Sequence, residues 1–329
     1  MKRLSVIGLS VLASFLVAGS VQATLISLNS AGPTNWELLA VGNGTDGGSI
    51  TIGTGDSVTS ASVPPAAVGL VGPSTGLELT MSGTGLIQGP VDMGNNGTIN
   101  IASTNSIGGG IYGLSLAGSK YGNTYTNVSE ATVLNAARAA ALSANAAATA
   151  LPTSSAFAGI TSINLSTSSE TLTGTAGENV LNLTNLNISG NQVLTLDAPA
   201  GSQFILNVSN QFSLDSGTIA VGGGLNFSNV IVNLAPGAQA VDLTDCQKPK
   251  PNPFCMTGIV LAPYQCAQLS YGTLYGELIA ENISLCTCGN VQMPCPPGSP
   301  GGVVPEPTTV ALLGLGLVGV LARRRTTKG

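Results

Sequence analysis

Short segments of alternating apolar and polar residues recur along most of this chain, separated by corners rich in glycine and asparagine. Between Gly76 and Leu116 the clearest segments are LELTM, TINIA and IYGLSL, and similar segments return after Ile160. An alternation with period two predicts strands with one buried face and one polar face. Because the segments lack the spacing of tight hairpins, we predict a mainly β fold in which they form the coils of a β-solenoid. An antiparallel sandwich is the alternative.

The segment from residue 129 to residue 151 breaks this pattern and predicts one long, alanine-rich α-helix. It contains eleven alanines, Ser129 stands at its N-cap position, and Pro152 ends it. Residues 130 to 150 would span roughly 31 Å at about 1.5 Å per residue, which matches about six strand spacings of ~4.8 Å. We expect the helix to pack alongside the coils through a flat face of small residues: Val133, Ala136, Ala137, Ala140 and Ala144. A free amphipathic or membrane-surface helix is the alternative, although the segment has no basic face.

The N-terminus has the pattern of a secretory signal peptide. Lys2 and Arg3 precede an apolar run from Leu4 to Gly19, and a small-residue site follows, so residues 1–23 are predicted to be removed by cleavage after Ala23. Export places the remaining chain outside the inner membrane.

Between the two ends the chain is long enough for one large core or two small ones. We predict an N-terminal β-rich segment at residues 24–75 and the β-solenoid at residues 76–298. The solenoid would include the helix and, at residues 246–295, C-terminal coils that contain the cysteines.

The C-terminal segment at residues 303–329 combines a proline-glutamate-proline signal, an uncharged run from 308 to 322 and a basic cluster: Pro305, Glu306, Pro307, Arg323, Arg324 and Arg325. The run is shorter than the roughly 20 residues of a comfortable membrane span, so it predicts a marginal transmembrane helix. Its arginines favour the cytoplasmic side, which holds the rest of the chain outside. An ordinary C-terminal membrane helix is one interpretation.

This tail also resembles the PEP-CTERM sorting tail, in which the same three features occur in the same order. The resemblance implies recognition by an exosortase as partner, and a transient or stable membrane anchor. The same tail is sometimes catalogued as an ice-binding protein C-terminal domain.

Five segments of the central region carry a second resemblance: DAPAGS, ILNVS, GGGLNFSNVIVNL, GIVLAP and LYGELIAENI. They resemble the choice-of-anchor A family and, more distantly, the ice-binding adhesin-like β-solenoids. The resemblance implies a β-solenoid with a helix packed alongside, on secreted proteins whose C-terminal anchor varies. This chain differs by an insertion from Cys246 to Cys255, just before GIVLAP.

The residues that most enzymes use are missing or scattered. The sequence has no histidine, which excludes histidine-based triads and most catalytic zinc sites. Glu277 and Glu281 form one of the closest acidic pairs, but in a strand they would lie roughly 13 Å apart, so we interpret them as a solvated edge. A polysaccharide-cleaving enzyme is an alternative with few basic residues to support it. We predict neither an enzyme nor a cofactor.

The six cysteines lie within 50 residues of one another: Cys246, Cys255, Cys266, Cys286, Cys288 and Cys295. An even number in an exported chain predicts three disulfides, which would staple the terminal coils, although their connectivity is open. A metal site built from four thiolates is the alternative, with irregular spacing against it.

Charge and composition limit the classes of partner that the protein can bind. Between Thr24 and Val304 fourteen acidic residues face four basic ones, so we exclude nucleic acid as a partner. The leading hypothesis is a structural or adhesive protein of the envelope or extracellular matrix, which contacts extracellular polysaccharide, other surface proteins or ice. An ice- or carbohydrate-binding module is the alternative, because strict Thr-x-Thr runs occur at Thr171 and Thr173.

Overall fold

The computed structural model describes residues 26–32, 35–60, 65–244, 254–286 and 289–293. The predicted signal peptide and the predicted sorting tail lie outside these residues. Twelve strands precede the helix: β1 Trp36–Ala40, β2 Ser49–Ile52, β3 Ser57–Ser60, β4 Ala67–Leu70, β5 Glu78–Met81, β6 Leu86–Ile87, β7 Val91–Met93, β8 Thr98–Ile101, β9 Ser106–Ile107, β10 Ile111–Tyr112, β11 Ala117–Ser119 and β12 Tyr125–Thr126.

The helix α1, Ala131–Thr149, follows these strands, and short 3-10 helices lie at Asn29–Ala31, Ser155–Phe157 and Phe227–Asn229. Thirteen strands complete the described chain: β13 Ile163–Leu165, β14 Glu170–Thr173, β15 Glu178–Ser189, β16 Val193–Asp197, β17 Gln203–Asp215, β18 Thr218–Gly222, β19 Val230–Leu234, β20 Val241–Thr244, β21 Phe254–Ala262, β22 Ala267–Ser270, β23 Gly272–Ala280, β24 Ile283–Leu285 and β25 Gly289–Met293.

The strands pair in parallel wherever two of them adjoin in the described chain. The mainly β prediction is therefore confirmed, and the antiparallel sandwich is excluded. Parallel neighbours need crossover connections, which agrees with the missing hairpin spacing in the sequence.

The pairings form three ladders. The helix ladder runs in the order β12, β10, β7, β4, β1, β23, β21, β19, β17, β15. The polar ladder runs β11, β8, β5, β2, β24, β22, β20, β17, β15, β13. The third ladder runs β9, β6, β3, β25, β23, β21, β18, β16, β14.

Four long strands bend and so belong to two ladders each. The register between β15 and β17 shifts after Leu183, where both strands pass from the helix ladder to the polar ladder. In β21 and β23 the paired residues Gly258 and Gly276 have φ angles of 148° and 152°. A side chain at Gly276 would collide with the carbonyl oxygen of Gly258, so this corner requires glycine.

The inward-facing side chains of all three ladders form one hydrophobic core. Leu38 of the helix ladder, Ile50 of the polar ladder and Val58 of the third ladder are each fully buried in the same cluster. Phe204 and Phe212, at the two halves of β17, belong to it as well. The core residues are the apolar positions of the period-two alternation in the sequence.

The N-terminal strands lie in the middle of the stack. Leu38 of β1 pairs with Val68 on one side and with Leu278 on the other. Similarly, β3 lies between β6 and β25. The helix then returns the chain from β12, at one end of the helix ladder, toward β13 at the opposite end of the stack.

The predicted N-cap of the helix is wrong. Glu130 occupies the N-cap position and makes no side-chain capping bond. The hydroxyl of Ser129 donates instead to Oδ1 of Asn95 at 3.1 Å. The helix begins at Ala131, two residues after the predicted N-cap.

The helix packs alongside the sheet as predicted, but through a rotated face. Its 19 residues span about 28 Å, and it contacts strands from β7 to β17, six steps of ~4.8 Å along the helix ladder. Val133 and Ala136, predicted to pack, are exposed, and Val133 is 52% exposed. The buried residues are Leu134, Ala137, Ala141, Ala144, Asn145 and Ala148. The face rotates because Leu134 and Asn145 offer more buried contacts than alanine alone.

Candidate binding surface

The outer face of the helix ladder is closed. Leu39, Ile231 and Ile279 pack against Leu134 and Ala141 of the helix in a second hydrophobic cluster. The helix therefore covers this part of the face.

A chain of asparagines fastens the end of the helix to this face. Asn233, Asn207 and Asn182 lie in register. Nδ2 of Asn233 donates to Oδ1 of Asn207, and Nδ2 of Asn207 donates to Oδ1 of Asn182, at 2.8 Å in both steps. Asn145 of the helix donates to Oδ1 of Asn233 at 2.6 Å, and Asn207 donates to the carbonyl of Ala148 at 2.7 Å. Several of these groups are buried, so each hydrogen bond offsets the cost of removing an amide group from water.

The outer face of the polar ladder carries an in-register row of polar side chains, which we call the polar column. Its members alternate with residues of the core, so they point away from it. They are, in order along the ladder, Ser119, Asn100, Thr80, Thr51, Ser284, Gln268, Asp242, Ser213, Asn187 and Asn164. Each member is exposed or half-buried. The polar column is therefore a continuous hydrogen-bonding surface across ten strands.

Both ends of the polar column are bonded internally. At one end, Nδ2 of Asn187 donates to Oδ1 of Asn164 at 3.0 Å, and the hydroxyl of Ser213 donates to Oδ1 of Asn187 at 2.9 Å. At the other end, Asn100 and Thr80 both donate to Oε1 of Glu78 at 2.8 Å. These contacts stiffen the two ends of the polar column.

A groove of about 510 Å³ lies across the middle of the polar column, over β17, β20, β22, β24 and β2. The amides of Gln211 and Gln268 and the hydroxyl of Thr51 make no hydrogen bond to any described residue. The other side chains that line the groove include Gln239, Asp242 and Cys266. The groove thus combines neutral donors and acceptors with one carboxylate.

The outer face of the third ladder carries a few threonines. Thr171 lies beside Thr195 in register, and Thr218 lies two strands from Thr273 in the neighbouring row. The Thr-x-Thr runs seen in the sequence thus face outward, but the rows include alanine, valine and cysteine as well.

The prediction that Glu277 and Glu281 form a solvated edge is wrong for Glu277. Its side chain is fully buried, and its carboxylate oxygens have no hydrogen-bond partner among the described residues. It pairs in register with Ile259, which belongs to the cluster under the helix and the N-terminal segment, so these elements cover it. Burial raises the pKa of Glu277 well above its usual range.

Glu37 is a second fully buried carboxyl group, on β1 next to β23. Neither of its oxygens has a well-formed hydrogen bond within the described chain. Burial raises the pKa of Glu37 to about 7, and the nearby hydroxyl of Ser60 offsets a part of this effect. Sequence reasoning missed this group, because a glutamate in an apolar strand normally indicates an exposed position.

A second cavity, of about 520 Å³, brings together Asp92, Glu130 and Tyr112. Burial raises the pKa of Asp92 to about 6, and the negative charge of Glu130 adds to the shift. No three histidine, cysteine or acidic side chains within the described ranges could hold a metal ion together.

The cysteine prediction is wrong for two residues. Cys266 is exposed and Cys286 is half-buried, and both have free thiols. Cys266 precedes β22 and Cys286 follows β24, so the pairing of these strands places them roughly 13 Å apart, too far for a disulfide. Cys255 lies in β21 beside Thr218 and Thr273. The remaining cysteines, Cys246, Cys288 and Cys295, lie outside the described residues.

The predicted sorting residues also lie outside the described residues: Pro305, Glu306, Pro307, Arg323, Arg324 and Arg325. Within the residues that are described, the helices are too short or too polar to cross a membrane.

Comparison with solved structures finds ice-binding proteins. The domain of ice-binding protein 1 from Shewanella frigidimarina is 13% identical, with 81% of this chain and 96% of that chain covered and a TM-score of 0.45. An ice-binding protein from an Arctic yeast is 16% identical, with coverages of 85% and 96% and a TM-score of 0.43. One from the Antarctic ascomycete Antarctomyces psychrotrophicus is 15% identical, with coverages of 81% and 97% and a TM-score of 0.37. None of the curated proteins matches the sequence.

Two family models match the sequence. The PEP-CTERM protein-sorting motif matches residues 303–325, which confirms the resemblance of the tail and indicates export and sorting to the surface. The family described as "Putative Ice-binding-like adhesive domain" matches residues 13–293, and the chain therefore belongs to this family of ice-binding-like adhesive domains.

Proposed function

We propose that this protein is a surface-sorted structural or adhesive protein of the envelope or extracellular matrix, which acts by binding and not by catalysis. The observation that carries this proposal is the polar column, which offers hydrogen-bonding groups over ten strands on a face that the helix leaves open. Membership of an adhesive-domain family and a sorting motif support it. A repeated polar face suits contact with an extended surface better than it suits a reaction at one point.

The finer architecture in this proposal is a β-solenoid. Successive strands pass from the helix ladder to the polar ladder and then to the third ladder, for example from β1 to β2 to β3, before β4 returns to the helix ladder. Each such passage would be one coil. In such an architecture the coils extend a flat face in one dimension.

For the ends of the chain we propose a signal peptide at residues 1–23 and a sorting and anchoring tail at residues 303–329. Between them, residues 24–75 and 76–298 would form adjoining parts of one stack, since β1 and β3 pair with the C-terminal strands. In this proposal an exosortase recognises the tail, and its short apolar run anchors the protein for a limited time. Fractionation of cells and mass spectrometry of the mature C-terminus test this. Cleavage near Pro305 supports sorting, and an intact tail in the membrane supports permanent anchoring.

Deletion of the gene tests the adhesive function. We expect reduced aggregation, biofilm formation or surface attachment, restored by the full chain and not by a chain that lacks residues 303–329. Unchanged behaviour in all three assays would count against an adhesive role.

Ice binding is the second candidate, favoured by the outward-facing threonines of the third ladder and by the family. Purified protein should then shape ice crystals or give thermal hysteresis, and Thr195→Lys should weaken the effect while Thr80→Lys, on the other face, should not. Protein that does neither eliminates this candidate.

A further inference from the structure

The groove in the polar column differs from the face around it in its bonding state. The ends of the column are bonded internally, whereas the side chains of Gln268 and Thr51 in its middle, and of Gln211 beside it in the groove, make no hydrogen bond within the described chain. Exposed amides without protein partners bind water, and a ligand can replace that water without leaving a buried group unpaired. The middle of the column is therefore the place where a polar ligand gains hydrogen bonds.

The shape of the groove fits a chain molecule. It crosses five neighbouring strands of the polar ladder, which is about 19 Å at ~4.8 Å per step. Its volume of about 510 Å³ lies in the range of small-ligand sites. The groove therefore has room for several linked units that lie along the ladder, across the strands.

The side chains that line the groove determine which kind of ligand it can bind. Amides and a carboxylate such as Asp242 hydrogen-bond to neighbouring hydroxyl groups, and no aromatic ring of the described chain lines the groove. The basic side chains of the described chain are Lys120 and Arg138, which donate to the carbonyls of Leu116 and Val41 and lie away from the groove. A ligand rich in hydroxyl groups and without negative charge fits this lining, because the charged side chain among the described residues that line the groove is the carboxylate of Asp242.

The same features argue against ice at this position. An ice surface needs a flat and regular face, and here a depression rimmed by long glutamine side chains interrupts the column. A flexible chain of hydroxyl-bearing units adapts to such a depression.

We propose that this groove binds an extended neutral polysaccharide, with Gln211 and Gln268 as its main hydrogen-bonding residues. This inference rests on the proposed adhesive function and names the class of surface that the protein contacts.

The first experiment measures binding of the full-length protein, in mild detergent, by electrophoresis in gels cast with neutral polymers: dextran, soluble β-glucan, mannan and galactomannan. We expect at least one of them to retard the protein, and alginate, an anionic polymer, to have no effect. Free glucose, mannose and galactose serve as competitors, and a polysaccharide site should need far more of the monomer than of the polymer. Retardation by none of the neutral polymers, or equal binding of alginate, overturns the proposal.

Variants test the assigned residues. Gln211→Ala and Gln268→Ala should each weaken binding about fivefold, since each loses hydrogen bonds to the ligand. Asn135→Ala, an exposed amide on the helix, is the matched control and should bind like the wild type. Equal thermal melting of all variants checks folding. Undiminished binding by both groove variants refutes the site.

Cys266 supplies a test without mutation, because its free, exposed thiol lines the groove. The bound polymer should slow maleimide modification of Cys266 several-fold, measured by peptide mass spectrometry, and should affect Cys286 less. An unchanged rate at saturating polymer contradicts the proposal. Loss of attachment on gene deletion, combined with no polysaccharide binding, would leave the adhesive function standing and remove only this inference.

Discussion

Glu37 gives the sharpest test of the core. Its side chain is fully buried on β1, without a well-formed hydrogen bond from the described residues, and its pKa is raised from 4.5 to about 7. A carboxyl group that is neutral when folded and charged when unfolded favours unfolding as the pH rises. The stability that the neutral carboxyl group contributes is therefore fully present below pH 4.5 and is lost as the pH rises toward 7.

The size of the effect follows from the shift. A difference of about 2.5 pKa units corresponds to about 3 kcal/mol at 1.36 kcal/mol per unit. The variant Glu37→Gln keeps the shape and removes the charge. We expect its free energy of unfolding to exceed that of the wild type by up to about 3 kcal/mol above pH 7, and the two proteins to converge near pH 4.

The assay is urea unfolding followed by circular dichroism at a series of pH values from 4 to 8.5. Burial also raises the pKa of Glu277, so its ionisation likewise destabilises the folded state as the pH rises. Because Glu277 is present in both proteins, the difference between their free energies of unfolding reports on Glu37. Glu170→Gln, at an exposed position, is the control and should follow the wild type. If the curves of Glu37→Gln and the wild type run parallel across this range, Glu37 is not a neutral buried group and the argument fails.

Three further substitutions test the packing by urea unfolding. Asn207→Ala should cost about 2–4 kcal/mol because it orphans buried amide and carbonyl groups, whereas Asn164→Ala, in the exposed part of the polar column, should cost under about 1 kcal/mol. Ala141→Leu should cost about 1–3 kcal/mol by forcing the helix from the sheet, and Ala139→Leu, on the exposed side, should be nearly neutral. Gly276→Ala should cost several kcal/mol or prevent folding, since its φ is 152° and the added methyl group meets a neighbouring carbonyl. Effects of Asn207→Ala and Ala141→Leu as small as those of their controls, or a nearly neutral Gly276→Ala, would contradict the packing described.

Much of the local structure was predictable because each strand carries its own signal. The segments LELTM and TINIA become β5 and β8, and the alanine-rich segment becomes α1. The alternation of Leu181 and Leu183 with Asn182 correctly indicates one face in the core. Val180 departs from the pattern, because it points outward and yet is buried beneath the end of the helix. Alternation specifies which side chains share a face, and the partner of that face depends on distant residues.

The pairing and the candidate site needed the structure. Nothing in the sequence around Leu38 indicates that Leu278 is its neighbour, since short parallel strands of similar composition could pair in many orders. The groove depends on this pairing, because Gln211 and Thr51 meet only through the intervening strands. The free thiols of Cys266 and Cys286 were missed for the same reason, as an even count of cysteines carries no information on distance.

The order of pairing also agrees with the position of the sorting motif, which follows the last strand of the described chain. Strand β1 has one neighbour about 30 residues away and another about 240 residues away, so its pairing is complete only when the last strands are present. Such distant contacts make folding slow. The matched sorting motif begins at residue 303, ten residues beyond the end of β25, and an exported chain crosses the membrane from its N-terminus. A signal placed there is reached only after every strand has been exported, so sorting acts on a chain that can fold.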